Sequence, residues 1–479
     1  MKYNAIVAAA VAAALGAPAA HALSSYDLIA IGSLTGSSAG SYADLSGLTG
    51  TLENGLPANL LGGIGSAFAY AGGSTYLALP DRGPNATAYD PLLDDTVSYI
   101  SRFQTVNMTL TAADSGGLPY TLTPVLTRTT LLSSPTPLTY GTGSGLGVVS
   151  GAPAQNTAGT YYFTGRSDNF DASLPSTNPA NGRLDPEGIR VSNDGKSVFV
   201  SDEYGPYVYQ FDRATGQRIR TFDLPANLAA TNLSPVGNTE IAGNTVGRVA
   251  NKGMEGLAIT PDGTTLVGIM QAPLEQDATN KGKDVRLVTI DIATGTTHEY
   301  AYKLTTGSGV SEIVALNDHE FLVDERDGKG LGDSSAAAVK QLFKVDITGA
   351  TDVTGIASLS AAGATFTRVA KSASPVLDVV AALGAHGIAP TDVPAKIEGL
   401  AFGQDITDNG ELFHTLWVAN DNDFVAAVAG QNNFYVFAIK ASDLPTFAAQ
   451  NISAVPVPGA VWLMGSALAG LVNARRRRA

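Results

Sequence analysis

The residues with the clearest chemical potential are carboxylates placed at both ends of a recurring phrase. Glu187-Gly188-Ile189 runs through Asn193-Asp194-Gly195 to Val198-Phe199-Val200-Ser201-Asp202-Glu203. Glu255-Gly256-Leu257 runs through Pro261-Asp262-Gly263 to Leu266-Val267-Gly268-Ile269-Met270-Gln271. Glu312-Ile313-Val314 leads to Phe321-Leu322-Val323-Asp324-Glu325-Arg326, and Glu398-Gly399-Leu400 to Val418-Ala419-Asn420-Asp421-Asn422-Asp423. A fainter copy, Ser66-Ala67-Phe68, ends in Leu79-Pro80-Asp81-Arg82. With Asp185, these acids form a set of candidate metal ligands: Asp81, Asp185, Glu187, Glu203, Glu255, Glu312, Asp324, Glu325, Glu398, Asp421 and Asp423. Hard oxygen donors in that number suit Ca²⁺, with Asn420 and Asn422 adding amide oxygens. Zinc fits poorly, because the chain has no cysteine and its five histidines show no ligand spacing. Arg82, Lys252, Arg326 and Lys396 stand beside the acids and could hold an anionic group; the plainer reading has each pair with its neighbouring acid. No residue pattern singles out a catalytic nucleophile.

Each phrase reads as a β-hairpin, with short apolar runs for buried strands and Asp-Gly pairs for tight turns. The leading glutamates are 68, 57 and 86 residues apart, more than a minimal propeller blade of about 40–50 residues. Each unit therefore needs two more strands, which Tyr207 to Asp212, Arg286 to Ile292 and Gln341 to Ile347 can supply. Five visible units and a further β-rich stretch from Thr96 to Thr164 predict an all-β fold, a six-bladed β-propeller, with seven blades as the alternative. Inner strands of a propeller line a central channel, so the repeated acids are expected around one mouth.

The chain carries a net charge of -14. Lys2 and the four arginines Arg475 to Arg478 lie at the extreme ends, so the part between them is more acidic still. Phosphates would be repelled, which excludes nucleic acid as a partner. The absence of cysteine leaves the core, and metal, to hold the fold.

Residues 1–22 read as a secretory signal peptide: Lys2, an apolar run from Ala5 to Ala17, and His21-Ala22 in an A-x-A-like site. At the other end, Val455-Pro456-Val457-Pro458 precedes an apolar stretch from Gly459 to Val472 and then Arg475 to Arg478. That stretch is short for a lasting membrane span, and the arginines favour the cytoplasmic side. The order of motif, short apolar helix and basic end resembles the PEP-CTERM sorting signal of Gram-negative bacteria. The resemblance implies an exosortase-type processing enzyme, transient membrane association through the C-terminal helix at 456–479, and export to the periplasm, outer surface or extracellular matrix. A plain single-pass anchor is the alternative. Residues 23–455 would form the exported domain.

Several segments in order, Leu184-Asp185-Pro186-Glu187-Gly188, Ser201-Asp202-Glu203-Tyr204-Gly205, Lys252-Gly253-Met254-Glu255-Gly256, Val323-Asp324-Glu325-Arg326 and Lys396-Ile397-Glu398-Gly399, resemble the phytase-like family, described as esterase-like activity of phytase. Asp81-Arg82-Gly83 is similar to its opening motif. The resemblance spans about residues 60–440 and implies a β-propeller related to calcium-dependent phytase. It implies a Ca²⁺-assisted hydrolase of phosphoric or carboxylic esters acting on a small anionic or ester substrate. Two alternatives stay open: a Ca²⁺-dependent lactonase, and a non-catalytic matrix or surface propeller that binds extracellular polysaccharide and uses calcium structurally.

Overall fold

The structure is a computed structural model that describes residues 22–36, 41–113, 117–141, 151–279 and 282–453. The signal peptide, apart from Ala22, and the C-terminal sorting signal lie outside the described residues. Among the described residues no helix is long and apolar enough to cross a membrane.

Five antiparallel sheets stand around one axis. Blade 1 comprises Ala67–Tyr70, Thr75–Leu79, Arg102–Ala112 and Tyr120–Leu131. Blade 2 comprises Pro186–Val191, Ser197–Asp202, Tyr207–Asp212 and Arg218–Asp223. Blade 3 comprises Met254–Ile259, Thr265–Met270, Asp284–Asp291 and Thr297–Lys303. Blade 4 comprises Gly309–Ala315, Glu320–Arg326 and Lys340–Asp346, with the short pieces Ala370–Lys371 and Leu377–Asp378 sharing its outer edge. Blade 5 comprises Lys396–Phe402, Glu411–Asp421 and Asn432–Lys440, and its fourth strand is Asp27–Leu34 from the other end of the domain. The first strand of each blade packs against that of the next, and blade 5 returns to blade 1, which closes the ring at five.

The expected sixth blade is therefore a correction. The stretch from Thr96 to Thr164 does not stand alone: its long hairpin pairs with Thr75–Leu79 and supplies the outer half of blade 1. The remainder gives a ribbon of two short strands, Ser133–Ser134 with Tyr161–Tyr162. The hairpin of residues 67–79 would leave unpaired backbone groups along its outer edge, and the next β-rich segment covers them.

Local chemistry explains the hairpins. In blades 2 and 3 the first turn places Gly195 and Gly263 at φ 71° and 75°, which glycine adopts without a Cβ clash. Asp194 accepts from Ser192 Oγ (2.6 Å) and Lys196 N (3.0 Å), and Asp262 repeats this with Thr260 Oγ1 (2.6 Å) and Thr264 N (3.0 Å). Alternating apolar residues fill the seams between blades. Phe68 and Tyr76 of blade 1 stack at 5.0 Å, and Tyr76 meets Trp417 of blade 5 at 4.6 Å.

The channel is sealed below the upper mouth. Arg190 of blade 2 donates to Phe68 O of blade 1 and Ile313 O of blade 4, both at 2.8 Å, and lies 3.1 Å from Glu312. The far mouth is crossed by residues 446–453: Ala448 N donates to Leu316 O (2.8 Å), Gln450 Nε2 to Val191 O (2.7 Å) and Ser453 N to Asn193 O (2.8 Å).

Closure by Asp27–Leu34 makes the ring depend on a strand distant in sequence. Ile29 of that strand is fully buried between blades 5 and 1. Ile29→Ala is expected to destabilise the protein by about 2–4 kcal/mol, read as a lower urea midpoint. An unchanged midpoint would show that this strand does not hold the ring closed.

Candidate functional site

The pairing registers show how the sequence turns acids into the channel. In blades 2, 3 and 5 the ladder skips one residue between Pro186 and Gly188, Met254 and Gly256, and Ile397 and Gly399. The skipped residues are Glu187, Glu255 and Glu398. A β-bulge re-aims the extra side chain and bends the strand, here at the upper mouth. The following glycine is required by close packing: a Cβ on Gly256 would lie 2.8 Å from Glu312 Cα, and one on Gly399 would lie 2.7 Å from Phe68 Cβ.

The same registers give a second tier. Two residues beyond the partner of the first regular inner-strand residue stand Asp81, Glu203, Gln271, Arg326 and Asp421, one per blade. In blade 4 the skipped residue is Ser311, between Val310 and Glu312. Glu312 thus occupies the glycine position, not the bulge. Its carboxylate turns inward, accepting from Leu257 N (3.0 Å) and Ile313 N (2.9 Å) beside Arg190.

A bowl of about 60 Å³ results, lined by Asp81, Arg82, Glu187, Glu203, Asn251, Glu255, Gln271, Arg326, Lys396, Glu398 and Asp421. Three overlapping groups of carboxylate oxygens lie within 4.8 Å of one another: Asp81, Asp421 and Asp423; Asp81, Asp185 and Glu187; Glu187, Glu203 and Glu255. Asp81 and Glu187 each belong to two groups, so the acids form one continuous arc. Such spacing fits oxygen ligands shared around hard cations, whose bonds are about 2.3–2.6 Å for Ca²⁺.

Three cationic side chains interleave with the arc. Arg82 bonds Asp185 through its guanidinium and its backbone N–H (3.0 Å), and lies 3.8 Å from Glu203. Arg326 bonds Glu398 and approaches Glu255 at 3.5 Å. Lys396 bonds Asp421 at 2.8 Å and also Asp423. Backbone and amide donors fix other acids: Gly253 N reaches Glu203 at 2.9 Å and Gln271 Nε2 reaches Glu255 at 2.8 Å.

These partners do not balance the acids. Burial, then the charges of Glu255 and Asp185, pushes the Glu187 carboxyl well up. Burial with Glu203 and Glu398 does the same to Glu255, and burial with Asp421 to Asp81. Glu203 is raised to about 7 by burial and Asp185. Glu398 reaches about 7 through burial, against the pull of Arg326 and Lys396. Without cations the bowl must hold protons instead.

Not every expected residue is here. Glu325 faces away from the bowl, where Lys371, Tyr302 Oη (2.6 Å), Thr306 N (2.8 Å) and Gly307 N (3.1 Å) surround its carboxylate. It neighbours Arg326 on an alternating strand, so it points to the other side; despite burial, these donors, Lys371 foremost, hold it down at about 2. Asp324 is buried one step short of the rim and accepts from Ser311 Oγ (3.1 Å). Lys252 is exposed, and its charge acts on Glu275. Asn420 and Asn422 use their amide oxygens on Asn433 N (2.7 Å) and Gly63 N (2.9 Å). Gln271 and Asn251 also line the bowl; Gln271 ends its repeat, where the other copies carry a charge.

The pattern of the phytase-like family, described as esterase-like activity of phytase, matches residues 59–424. A protein of Arthroderma benhamiae, described as an uncharacterized secreted protein, is 32% identical over 322 residues, covering 56% of this chain and 59% of that one. The chain thus spans less than two thirds of that relative. Among solved structures, the periplasmic gluconolactonase of Pseudomonas aeruginosa is similar at 10% identity and a TM-score of 0.31, covering 78% of this chain and 88% of that one. The hydrazine synthase of Kuenenia stuttgartiensis is similar at 13% identity and a TM-score of 0.30, covering 77% and 79%. Likenesses that remote carry no argument about function.

Carboxyls raised in the folded state make folding take up protons, so stability falls as pH rises through their folded values. In chelator the melting temperature is expected to fall between pH 5 and 8, less steeply above about 7, where Glu203 and Glu398 ionise in the folded protein too. Added Ca²⁺ should raise it more at pH 8 than at pH 5. A calcium effect equal at both pH values would remove these carboxyls from the cation site.

Proposed function

The chain belongs to the phytase-like family, and from that premise we propose that it is an exported, Ca²⁺-dependent hydrolase of phosphoric or carboxylic esters. The observation that carries the proposal is the continuous arc of carboxylates at one channel mouth, interleaved with Arg82, Arg326 and Lys396. Asp81, Asp185, Glu187, Glu203, Glu255, Asp421 and Asp423 would hold the cations. Bound Ca²⁺ would neutralise the bowl and polarise an ester oxygen. Arg82 and Arg326 each keep a buried Nε without a hydrogen-bond partner among the described residues, and their charge would offset that which develops on the ester oxygens. Glu398 stands outside the three oxygen groups, with a carboxyl at about 7. Left out of the cation ligands, it is available to take a proton from an attacking water. Arg190 bridges the channel below the bowl, so substrate would enter from the upper mouth.

Export agrees with the end segments read from the sequence and with the secreted relative. Processing by an exosortase-type enzyme at the C-terminal signal belongs to the same proposal.

The test is hydrolysis of p-nitrophenyl phosphate, p-nitrophenyl butyrate and a δ-lactone, each with Ca²⁺ and with chelator. Calcium-dependent turnover is expected for at least one ester. Glu398→Gln should lower kcat about 100-fold or more with little change in calcium affinity, whereas Glu187→Gln and Glu255→Gln should weaken calcium binding. No turnover of any substrate, with melting still raised by Ca²⁺, would leave a binding propeller with structural calcium.

A further inference from the structure

Beside the bowl the rim loops enclose a second cavity of about 260 Å³, with Arg82 and Asn251 common to both. Its wall includes Thr96, Ser167, Arg183, Tyr204 and Arg248, with the carboxylates of Glu240 and of Asp94, which accepts from Gly237 N at 2.6 Å. Of its three arginines, Arg82 pairs with Asp185, and Arg248 pairs with Glu240 at 2.6 Å while donating to Tyr204 O at 3.0 and 2.8 Å. Arg183 differs. It is only 3% exposed, yet among the described residues no carboxylate lies within 4.0 Å of it. Its guanidinium donates to Ser167 O at 3.1 Å and is held over the rings of Phe170 at 4.3 Å and Tyr204 at 4.9 Å.

A buried cation without a counter-charge is unfavourable, and an incoming anion recovers the difference. Glu240 of the same wall is engaged by Arg248. Arg183 is the arginine of this wall without a carboxylate in contact, and its planar fork matches a carboxylate. At about 260 Å³ the cavity lies just below the range of about 300–1,000 Å³ usual for larger ligands, which suits a small organic acid. The hydroxyls of Thr96 and Ser167 bond to each other at 3.0 Å within the same wall.

We propose that this cavity is a carboxylate-recognition subsite: the ester or lactone hydrolysed at the bowl also carries a carboxylate, bound by Arg183, while its ester group lies at the shared wall near Arg82. The inference rests on the hydrolase reading for its reaction. Hydrolysis consumes one water, whose oxygen bonds to the acyl carbon; the ester C–O bond breaks, and the alkoxide leaves as the alcohol with a proton from that water. Arg183 is a substrate-positioning residue in this scheme.

The test measures binding of gluconate and of inorganic phosphate to the calcium-loaded protein by titration calorimetry, in the wild type, Arg183→Met and Arg183→Lys. Methionine preserves packing between the two rings, and circular dichroism with melting confirms the fold. Gluconate is expected to bind the wild type, at least tenfold weaker to Arg183→Met, and with intermediate affinity to Arg183→Lys. Equal binding to wild type and Arg183→Met, or no gluconate binding, would overturn the subsite. Arg183-dependent phosphate binding tighter than that of gluconate would overturn its assignment to carboxylates. In kinetics, Arg183→Met should raise KM for p-nitrophenyl hemisuccinate about tenfold, leaving its kcat and the hydrolysis of p-nitrophenyl butyrate unchanged. Turnover of neither ester with Arg183-dependent gluconate binding would sink the hydrolase reading and keep the subsite. Equal turnover in both proteins without such binding would do the reverse.

Discussion

Repulsion between like charges brought together by a ring of equivalent strands governs this molecule. A propeller starts its inner strand at the same height in every blade, so a residue type repeated there converges on the axis whether or not its charge is welcome. Here the bulge positions carry Glu187, Glu255 and Glu398, and the tier beside them carries Asp81, Glu203 and Asp421. The remaining places break the pattern in the direction electrostatics requires. Ser311 stands at the bulge of blade 4, Arg326 takes the second-tier place in that blade, and Gln271 takes it in blade 3. Ser311 and Arg326 of blade 4 thus lower the charge on one side of the bowl, and the arc from Asp423 to Glu255 runs round the other through blades 5, 1, 2 and 3.

The structure below the bowl follows from the same constraint. The carboxylates raise their pKa values because they are buried, and the channel beneath them is bridged. Arg190 achieves this with few contacts: it spans from blade 2 to carbonyl oxygens of blades 1 and 4 and draws Glu312 inward. Glu312, at about 7 through burial against the attraction of Arg190, belongs to that plug. The segment over the far mouth adds a second seal, and its last hydrogen bond, from Ser453 to Asn193, lies on the face opposite the bowl.

Much of this was legible in the sequence because repetition carries the information. The Glu-Gly phrase marks the inner strands, the Asp-Gly turns mark the hairpins, and the acids at the strand ends mark the mouth. The failures have definite causes. Glu312 was aligned with the other glutamates by identity, but the bulge shifts the register by one residue and gives its place to Ser311. Glu325 and Arg326 are adjacent, so strand alternation sends them to opposite sides and only one can face the bowl. The sixth blade came from counting β-rich stretches, which cannot tell a new blade from the outer half of an existing one. Lys252 sits three residues before Glu255, outside the strand, where no periodicity fixes its direction.

The side cavity illustrates a more general limit. Arg183 follows an Asn-, Pro- and Ser-rich loop, Thr96 and Ser167 come from the connections around blade 1, and Arg248 and Glu240 come from the connection before blade 3. None belongs to the repeated phrase, so no repeat analysis could assemble them. Their meeting depends on loop paths that only the closed ring of five defines. The repeat therefore fixes where charge collects, while the unrepeated loops decide what can be held beside it. Arg82, which bonds Asp185 in the bowl, and Asn251 line both the bowl and the side cavity, and through them the two levels meet.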